Sequence, residues 1–503
     1  MKEKLKPIIY IVLFLATLVI SYFAVCYSAF YNSSFLNYDS SVFYLIGRGI
    51  KNGYIPYKDL ADHKGIYIFF VNFLGALISE NKYIDIFIIN LLINYCFVVL
   101  VYKIAALFSK NWTINILVAI SSFVLGSSYF FCQGGMKCET MLMPIILYSY
   151  YLYLKHFIHN RNNPFETKKM FIIGIGAGIA LFTKANICIC FFPIIFSCIM
   201  EIHENRSYHL LIKYFTFGFL GILIGILPAI TYGLLTKSLK EMIYYTFTAN
   251  FLYTKGLYYK YNGLVDATIN TIFNFKWVLL FSIVGICASY SIVKSKKIFL
   301  FLCVSFLSTC ISSFMALRPY TYHSYPMLFN LLWLLFFVFI KLDKVLGDIH
   351  IKSRIKKNVL LSLFIIVYML FLSFYTYNFS YKRNILYGYR QYLVNKELEK
   401  YYKKGDRLLV IGASIGSYNY FQVFPTIRDF CIPHTTEKFV DPMYDELLES
   451  IKKGENDWVI TSFTPIMNRS NFPDRVNNLL SEKYEYVLDI PLVPATIYRK
   501  PRN

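Results

Sequence analysis

Residues 171–200 read FIIGIGAGIALFTKANICICFFPIIFSCIM, an apolar run whose single charge before the final turn, Lys184, sits near the middle. One kinked helix or two short helices could occupy it, and the choice decides on which side of a bilayer every later segment lies. A single helix would set KLDKVLGDIHIKSRIKK (341–357) on the outer side, against the tendency of cytoplasmic loops to carry Lys and Arg. Two helices meeting at TKAN (183–186) keep that basic stretch inside.

Working outward from this pair gives about eleven expected spans: Ile8–Tyr27, Ile84–Phe108, Ile114–Phe131, Met141–Leu154, Phe171–Phe182, Ile187–Met200, Tyr214–Leu235, Trp277–Val293, Ile298–Leu317, Met327–Ile340 and Val359–Tyr377. Several fall short of the roughly 20 residues that cross a bilayer, so their ends must run into the flanks. Ile66–Ile78 is shorter still and is expected to be re-entrant or to lie along the interface. The resulting order puts the N-terminus in the cytoplasm. MKEKLKPIIYIVLFLATLVISYFAV (1–25) begins like a signal peptide, but its apolar run is long and no small-x-small cleavage site follows, so it reads as a retained first helix.

Composition agrees with a polytopic α-helical membrane protein. Of the 503 residues 57% are apolar and 16% charged, and mean hydropathy is +0.48. The apolar residues come in blocks, whereas a membrane barrel would show alternating strands. The net charge of +22 lies largely in short loops beside apolar runs. No stretch joins basic residues to aromatics away from those flanks, so no nucleic acid is expected as a partner. Most of the eleven cysteines lie inside apolar runs and read as small buried hydrophobes. Cys132 and Cys138 share a loop and could pair on an oxidising side.

After about Ser380 the pattern changes. GDRLLVIGAS (405–414), NDWVITSF (456–463), EYVLDI (485–490) and ATIYRK (495–500) read as short strands, and DPMYDELLESIKKG (441–454) as a helix closed by glycine. The expected division is a transmembrane domain at 1–379, with a first outer loop at 28–83, and a small C-terminal extracytoplasmic α/β domain at 380–503. GASIGS (412–417) lacks the full dinucleotide fingerprint and reads as a strand-to-helix turn.

The topology collects ionisable residues near the outer face. NYDSSVFYLIGRGIKNGYIPYKDLADHKG (37–65) carries Asp39, Asp59, Asp62, His63 and Lys64; Glu139 lies in QGGMKCET (133–140), Lys184 at the hinge, and Arg318 and His323 in LRPYTYHSYP (317–326). Ionisable groups at membrane depth mark functional sites by default. Each also has a structural role open to it. Asp39 and Asp59 could cap helical turns, Asp62–Lys64 could form an interfacial cluster, and Glu139 could meet a helix dipole. Lys184 could snorkel, and Arg318 could anchor a helix end.

The ordered set resembles the large bacterial membrane glycosyltransferases of the GT-C superfamily, relatives of protein O-mannosyltransferases and aminoarabinose transferases. The resemblance rests on the 37–65 stretch and on GGMKCETMLMPIILYSYYLYLK (134–155), GIGAGIALFTKANICICFFP (174–193), LPAITYGLLTKSLKEMIYYTFTANFLY (227–253) and RPYTYHSYPML (318–328). It implies a polyprenyl-phosphate sugar donor drawn from the lipid and transfer to an extracytoplasmic acceptor: a cell-surface glycan, a lipid or a protein. It makes Asp39 the catalytic base. Many relatives carry two adjacent acids where this chain has Tyr38–Asp39–Ser40, so Asp62, Asp59 and Glu139 are the candidates for a partner carboxylate. His63, Lys64, Lys184, Arg318 and His323 become substrate-binding candidates, with His323–Ser324 standing where a His-Tyr pair is often seen. Some GT-C enzymes use a divalent cation and others do not, so a metal is left open. An outer-face glycan polymerase or ligase, and a transporter, are the alternative readings; a transporter would favour midplane charges and repeated halves, and no repeat is visible.

Overall fold

The computed structural model describes residues 5–24, 38–79, 83–160, 163–252, 264–293, 295–315, 320–348, 382–412, 414–431, 437–463, 472–490 and 493–501. The chain falls into two compact bodies. The first comprises Met1–Ala24, Asn90–Pro228 and Val265–Tyr381; the second comprises Val25–Ile89, Ala229–Leu264 and Lys382–Asn503.

Among the described residues seven helices are long and apolar enough to cross a membrane: Lys6–Phe23, Ile84–Phe108, Ala185–Glu204, His209–Leu235, Thr268–Val293, Lys296–Phe314 and Thr321–Lys344. The difference from eleven has identifiable sources. Val359–Tyr377 lies outside the described residues. The expected span Ile114–Phe131 is broken by Ser127–Ser128 into Trp112–Gly126 and a single turn, Tyr129–Cys132. Cys138–His159 extends well past its apolar centre and carries Glu139, Lys155 and two histidines. Phe171–Phe182 lies within Thr167–Leu181 and its C-cap, only 15 helical residues.

The run that opened the sequence is two helices. We label Thr167–Leu181 α1 and Phe192–Glu204 α2, joined by a 3-10 turn at Ala185–Phe191. Thr183 donates its hydroxyl to Ile179 O (2.7 Å), closing α1, and Pro193 starts α2, where a missing N–H costs nothing. The turn packs back on α1: Cys188 Sγ donates to Ala177 O at 3.5 Å, and a Cβ at Gly176 would meet the Phe191 ring at 3.3 Å. One index falls as the other rises, so the chain has reversed.

The next helix, His209–Leu235 (α3), runs parallel to α1. A Cβ on Gly174 would lie 2.2 Å from Gly218 O, and one on Gly178 2.5 Å from Ile222 O. From the other side, Gly221 faces Phe171 O at 2.1 Å and Gly225 faces Ile175 O at 2.4 Å. Both indices advance together by four. Hydrogen side chains at these positions let the two backbones touch, as small residues do in membrane helix pairs. A parallel α1 and α3 require one crossing between them, which α2 supplies.

Elsewhere in the first body, Lys296–Phe314 (α4) and Leu328–Asp348 (α5) are clamped through Asn330. Its amide donates to Thr309 Oγ1 at 2.8 Å and its carbonyl oxygen lies 3.4 Å from Ser305 Oγ. Buried amides in an apolar interior must be paired in this way.

In the second body Tyr38–Lys51 (α6) crosses Ile66–Ile78 (α7) closely; a Cβ on Gly47 would sit 2.6 Å from the Asn72 backbone. The four strands read from the sequence form one sheet: β1 (Leu408–Gly412), β2 (Trp458–Ser462), β3 (Glu485–Asp489) and β4 (Thr496–Arg499), in the order β1-β2-β4-β3. β1 and β2 are parallel and are connected through Glu437–Lys453 (α8), while β4 is antiparallel to both neighbours. Both parallel strands are buried almost throughout, as their continuous apolar sequences require.

The glycine contact yields a sharp expectation. Gly221→Ala should lower stability by about 1–3 kcal/mol, because its methyl meets a backbone oxygen that cannot move aside. Gly218→Ala, three residues away, meets only the Met170 side chain at 3.5 Å and should stay within about 0.5 kcal/mol of the parent. Thermal unfolding in detergent distinguishes them; equal stabilities would refute the close parallel packing.

Candidate active site

The acids of the first loop belong to the second body and are held by the C-terminal segment. Asp39 lies in the first turn of α6, not ahead of it, where its charge meets the positive helix end. Asp62, His63 and Lys64 come together. His63 Nδ1 is 3.0 Å from Asp62 Oδ1, and Lys64 Nζ contacts His63 Nε2. An imidazole that donates from Nδ1 presents its Nε2 lone pair to the ammonium, so the three side chains form one hydrogen-bonded series. Burial alone would raise the Asp62 carboxyl, but the facing His63 and Lys64 outweigh it and hold it at about 2. Asp62 is therefore ionised, and among the described residues its buried Oδ2 has no hydrogen-bond partner. An unmatched acceptor of this kind calls for an explanation.

A cysteine from the tail meets Tyr38 and Asp62. Cys431 Sγ lies 3.4 Å from Tyr38 Oη and 4.0 Å from Asp62 Oδ1. Burial, then the Asp62 charge, pushes the thiol well up, and Asp39 acts in the same direction. Burial, with Cys431 and both acids behind it, does the same to the Tyr38 hydroxyl. Both stay protonated and can donate.

The neighbouring segment is fixed just as tightly. Ala61 N–H donates to Arg428 O at 2.9 Å. Tyr245, in a π-helical turn at Tyr244–Ala249, donates to Asp429 Oδ1 at 2.5 Å, and Asn250 Nδ2 donates to His63 O at 2.5 Å. Tyr57 stacks on Tyr245 at 6.0 Å and donates to Lys64 O at 2.8 Å. Its φ of +69° is unusual for a bulky residue; such strain and π-turns both gather at functional sites. Asp59 stands apart from this group. Its exposed carboxylate accepts from Ile55 N–H at 2.7 Å, closing the turn that contains Pro56 rather than capping a following one.

The first body holds a second cluster. Glu139, in the first turn of its helix, pairs with Lys184, so the lysine is held by a buried carboxylate and does not snorkel. Lys184 Nζ lies 5.7 Å from the centroid of the Tyr322 ring and the buried Lys137 4.6 Å from it. His323 packs edge-on to the same ring at 4.6 Å and is buried in the 3-10 turn Thr321–Met327. Arg318 lies outside the described residues. Cys132 and Cys138 are both buried and are not joined in a disulfide; the Cys132 thiol donates to Ser127 O at 3.3 Å. Among the described residues no three His, Cys, Asp or Glu side chains are grouped as a metal site would need.

Tyr57, Tyr245, Asp429 and Cys431 escaped the sequence reading, as did the burial of Lys137. The spacing of Tyr245 and Cys431 carries no signal, since their partners lie more than 180 residues away.

No family model matches the chain, and no curated protein matches it in sequence. Solved structures do match. The crystal structure of ArnT from Cupriavidus metallidurans bound to undecaprenyl phosphate aligns with 97% of each chain at a TM-score of 0.54 and 10% identity. Its apo state gives 0.52 over the same coverage. The apo oligosaccharyltransferase of Archaeoglobus fulgidus gives 0.51 at 11% identity, over 92% of this chain and 70% of that one. At such identities the likeness is one of architecture: the chain has the GT-C membrane-glycosyltransferase fold that its sequence led us to expect.

Proposed function

We propose that this protein transfers a sugar from a polyprenyl-phosphate donor to an extracytoplasmic acceptor, with inversion at the anomeric carbon. The observation that carries this reading is a buried loop carboxylate, Asp62, with an open oxygen and a tail thiol beside it, in a chain with this fold. The solved ArnT complex contains undecaprenyl phosphate, which supports the donor class.

In the reaction the acceptor oxygen bonds to the anomeric carbon as the bond from that carbon to the phosphate oxygen breaks, and polyprenyl phosphate departs. The acceptor proton needs a base with a pKa not far below working pH. Asp62, held at about 2, accepts a proton poorly; its free Oδ2 suits it to orienting an acceptor hydroxyl. Glu139 is committed to Lys184. Asp39, which stands where the resemblance implies the catalytic base, is the base proposed here. Phosphate is a good leaving group, so no general acid is required, and cations stabilise the charge it gathers. Arg318 can do so with two parallel hydrogen bonds, and Lys184 or Lys64 as a point charge.

Mass spectrometry of polyprenyl-linked sugars that accumulate when the protein is removed identifies the donor. With that donor, Asp39→Asn should cut transfer about 100-fold or more while insertion and yield stay intact; undiminished transfer removes Asp39 from the mechanism. Arg318→Ala should raise the donor KM more than the acceptor KM, and equal effects count against a phosphate contact.

A further inference from the structure

Within the second body the turn Asn52–Tyr54 and the segment Pro425–Arg428 both line a cleft of about 640 Å³, a size typical of small-molecule sites. Its charged lining is Lys58 and Arg428 against Asp59 and Glu446, so the cleft is formally neutral.

Each of these groups is anchored yet keeps hydrogen-bonding capacity. Arg428 Nε and Nη2 bind Asp429 Oδ2 at 3.1 and 2.7 Å, leaving other N–H groups of the fork. Glu446 Oε1 accepts from Arg428 N–H at 2.9 Å, Asp59 spends one oxygen on Ile55 N–H, and Lys58 reaches Thr236 O at 3.3 Å. Tyr54 adds an aromatic wall, braced by Phe424 with ring centroids 4.5 Å apart. Fixed acceptors, fixed donors and a ring, with no excess of either charge, match a ligand with many hydroxyls and no net charge. A phosphorylated ligand would instead require surplus cations.

We infer that this cleft is a subsite for a neutral saccharide, the acceptor of the transfer proposed above; the word acceptor rests on that reading, the saccharide class on the lining. Asp59, which stands apart from the other loop acids, thereby gains a role distinct from theirs.

The test uses the full-length protein in lipid nanodiscs on a glycan array bearing neutral, sialylated and phosphorylated oligosaccharides. Retention on neutral oligosaccharides is expected, weakened about tenfold or more, or 1.4 kcal/mol, by Thr426→Trp and separately by Asn52→Trp. Both positions are exposed and belong to different segments of the lining, so an indole can fill the cleft without entering a core. Retention confined to anionic glycans, equal retention by both indole variants, or no retention of any glycan overturns the subsite. Binding needs no turnover: a protein that transfers sugar but ignores the array loses only the subsite. One that binds neutral glycans but never consumes a polyprenyl-phosphate sugar loses only the transferase reading.

Discussion

A guanidinium cannot be buried without partners, and Arg48 has 2% of its surface exposed. It donates to Asn419 Oδ1 at 3.2 Å and lies 5.3 Å from the centroid of the Phe424 ring, while the Asn419 amide donates to Ser41 O at 2.8 Å. These contacts tie the amphipathic helix α6 to a segment 371 residues later. Asp39 rides on that same helix. The orientation of the proposed base is thus set by the C-terminal segment as much as by the loop that carries it.

The same segment then reaches the other loop groups in order: Arg428 O holds Ala61, Asp429 holds Tyr245, and Cys431 meets Tyr38 and Asp62. Local strain fits this pattern. Tyr57 is fully buried at a positive φ, a conformation that costs of order 1–3 kcal/mol and persists only when its surroundings over-determine it. Here they do, through a stacked ring and a hydrogen bond. The result is a loop with little freedom to drift, as the proposed site would require.

Much of the architecture could be read from the chain because its causes are local. Apolar blocks announce helices whatever they pack against, and the first two tail strands open on apolar runs entered through polar turns. Ile66–Ile78 appears as a helix with the bounds its sequence suggests. What could not be read is pairing. Lys184 and Glu139 were both visible as charges, but nothing in either neighbourhood says that they neutralise one another. The break at Ser127–Ser128 follows Gly126 inside an otherwise apolar block, a short polar interruption that the surrounding hydropathy outweighs. Cys431 is a lone cysteine in an unremarkable turn, and it acquires meaning only from the acids that fold against it.

Because the partners of the loop come late in the chain, geometry also dictates a timetable. At about 5–20 residues per second, the 371 residues between Arg48 and Asn419 take roughly 20 to 70 s to emerge. Throughout that interval the arginine and the loop acids must rely on water or on the lipid surface. A ribosome that stops early would leave a bilayer-inserted polypeptide whose proposed chemical groups never assemble. Translation past Cys431 is, for this molecule, the step that lets the loop find its partners.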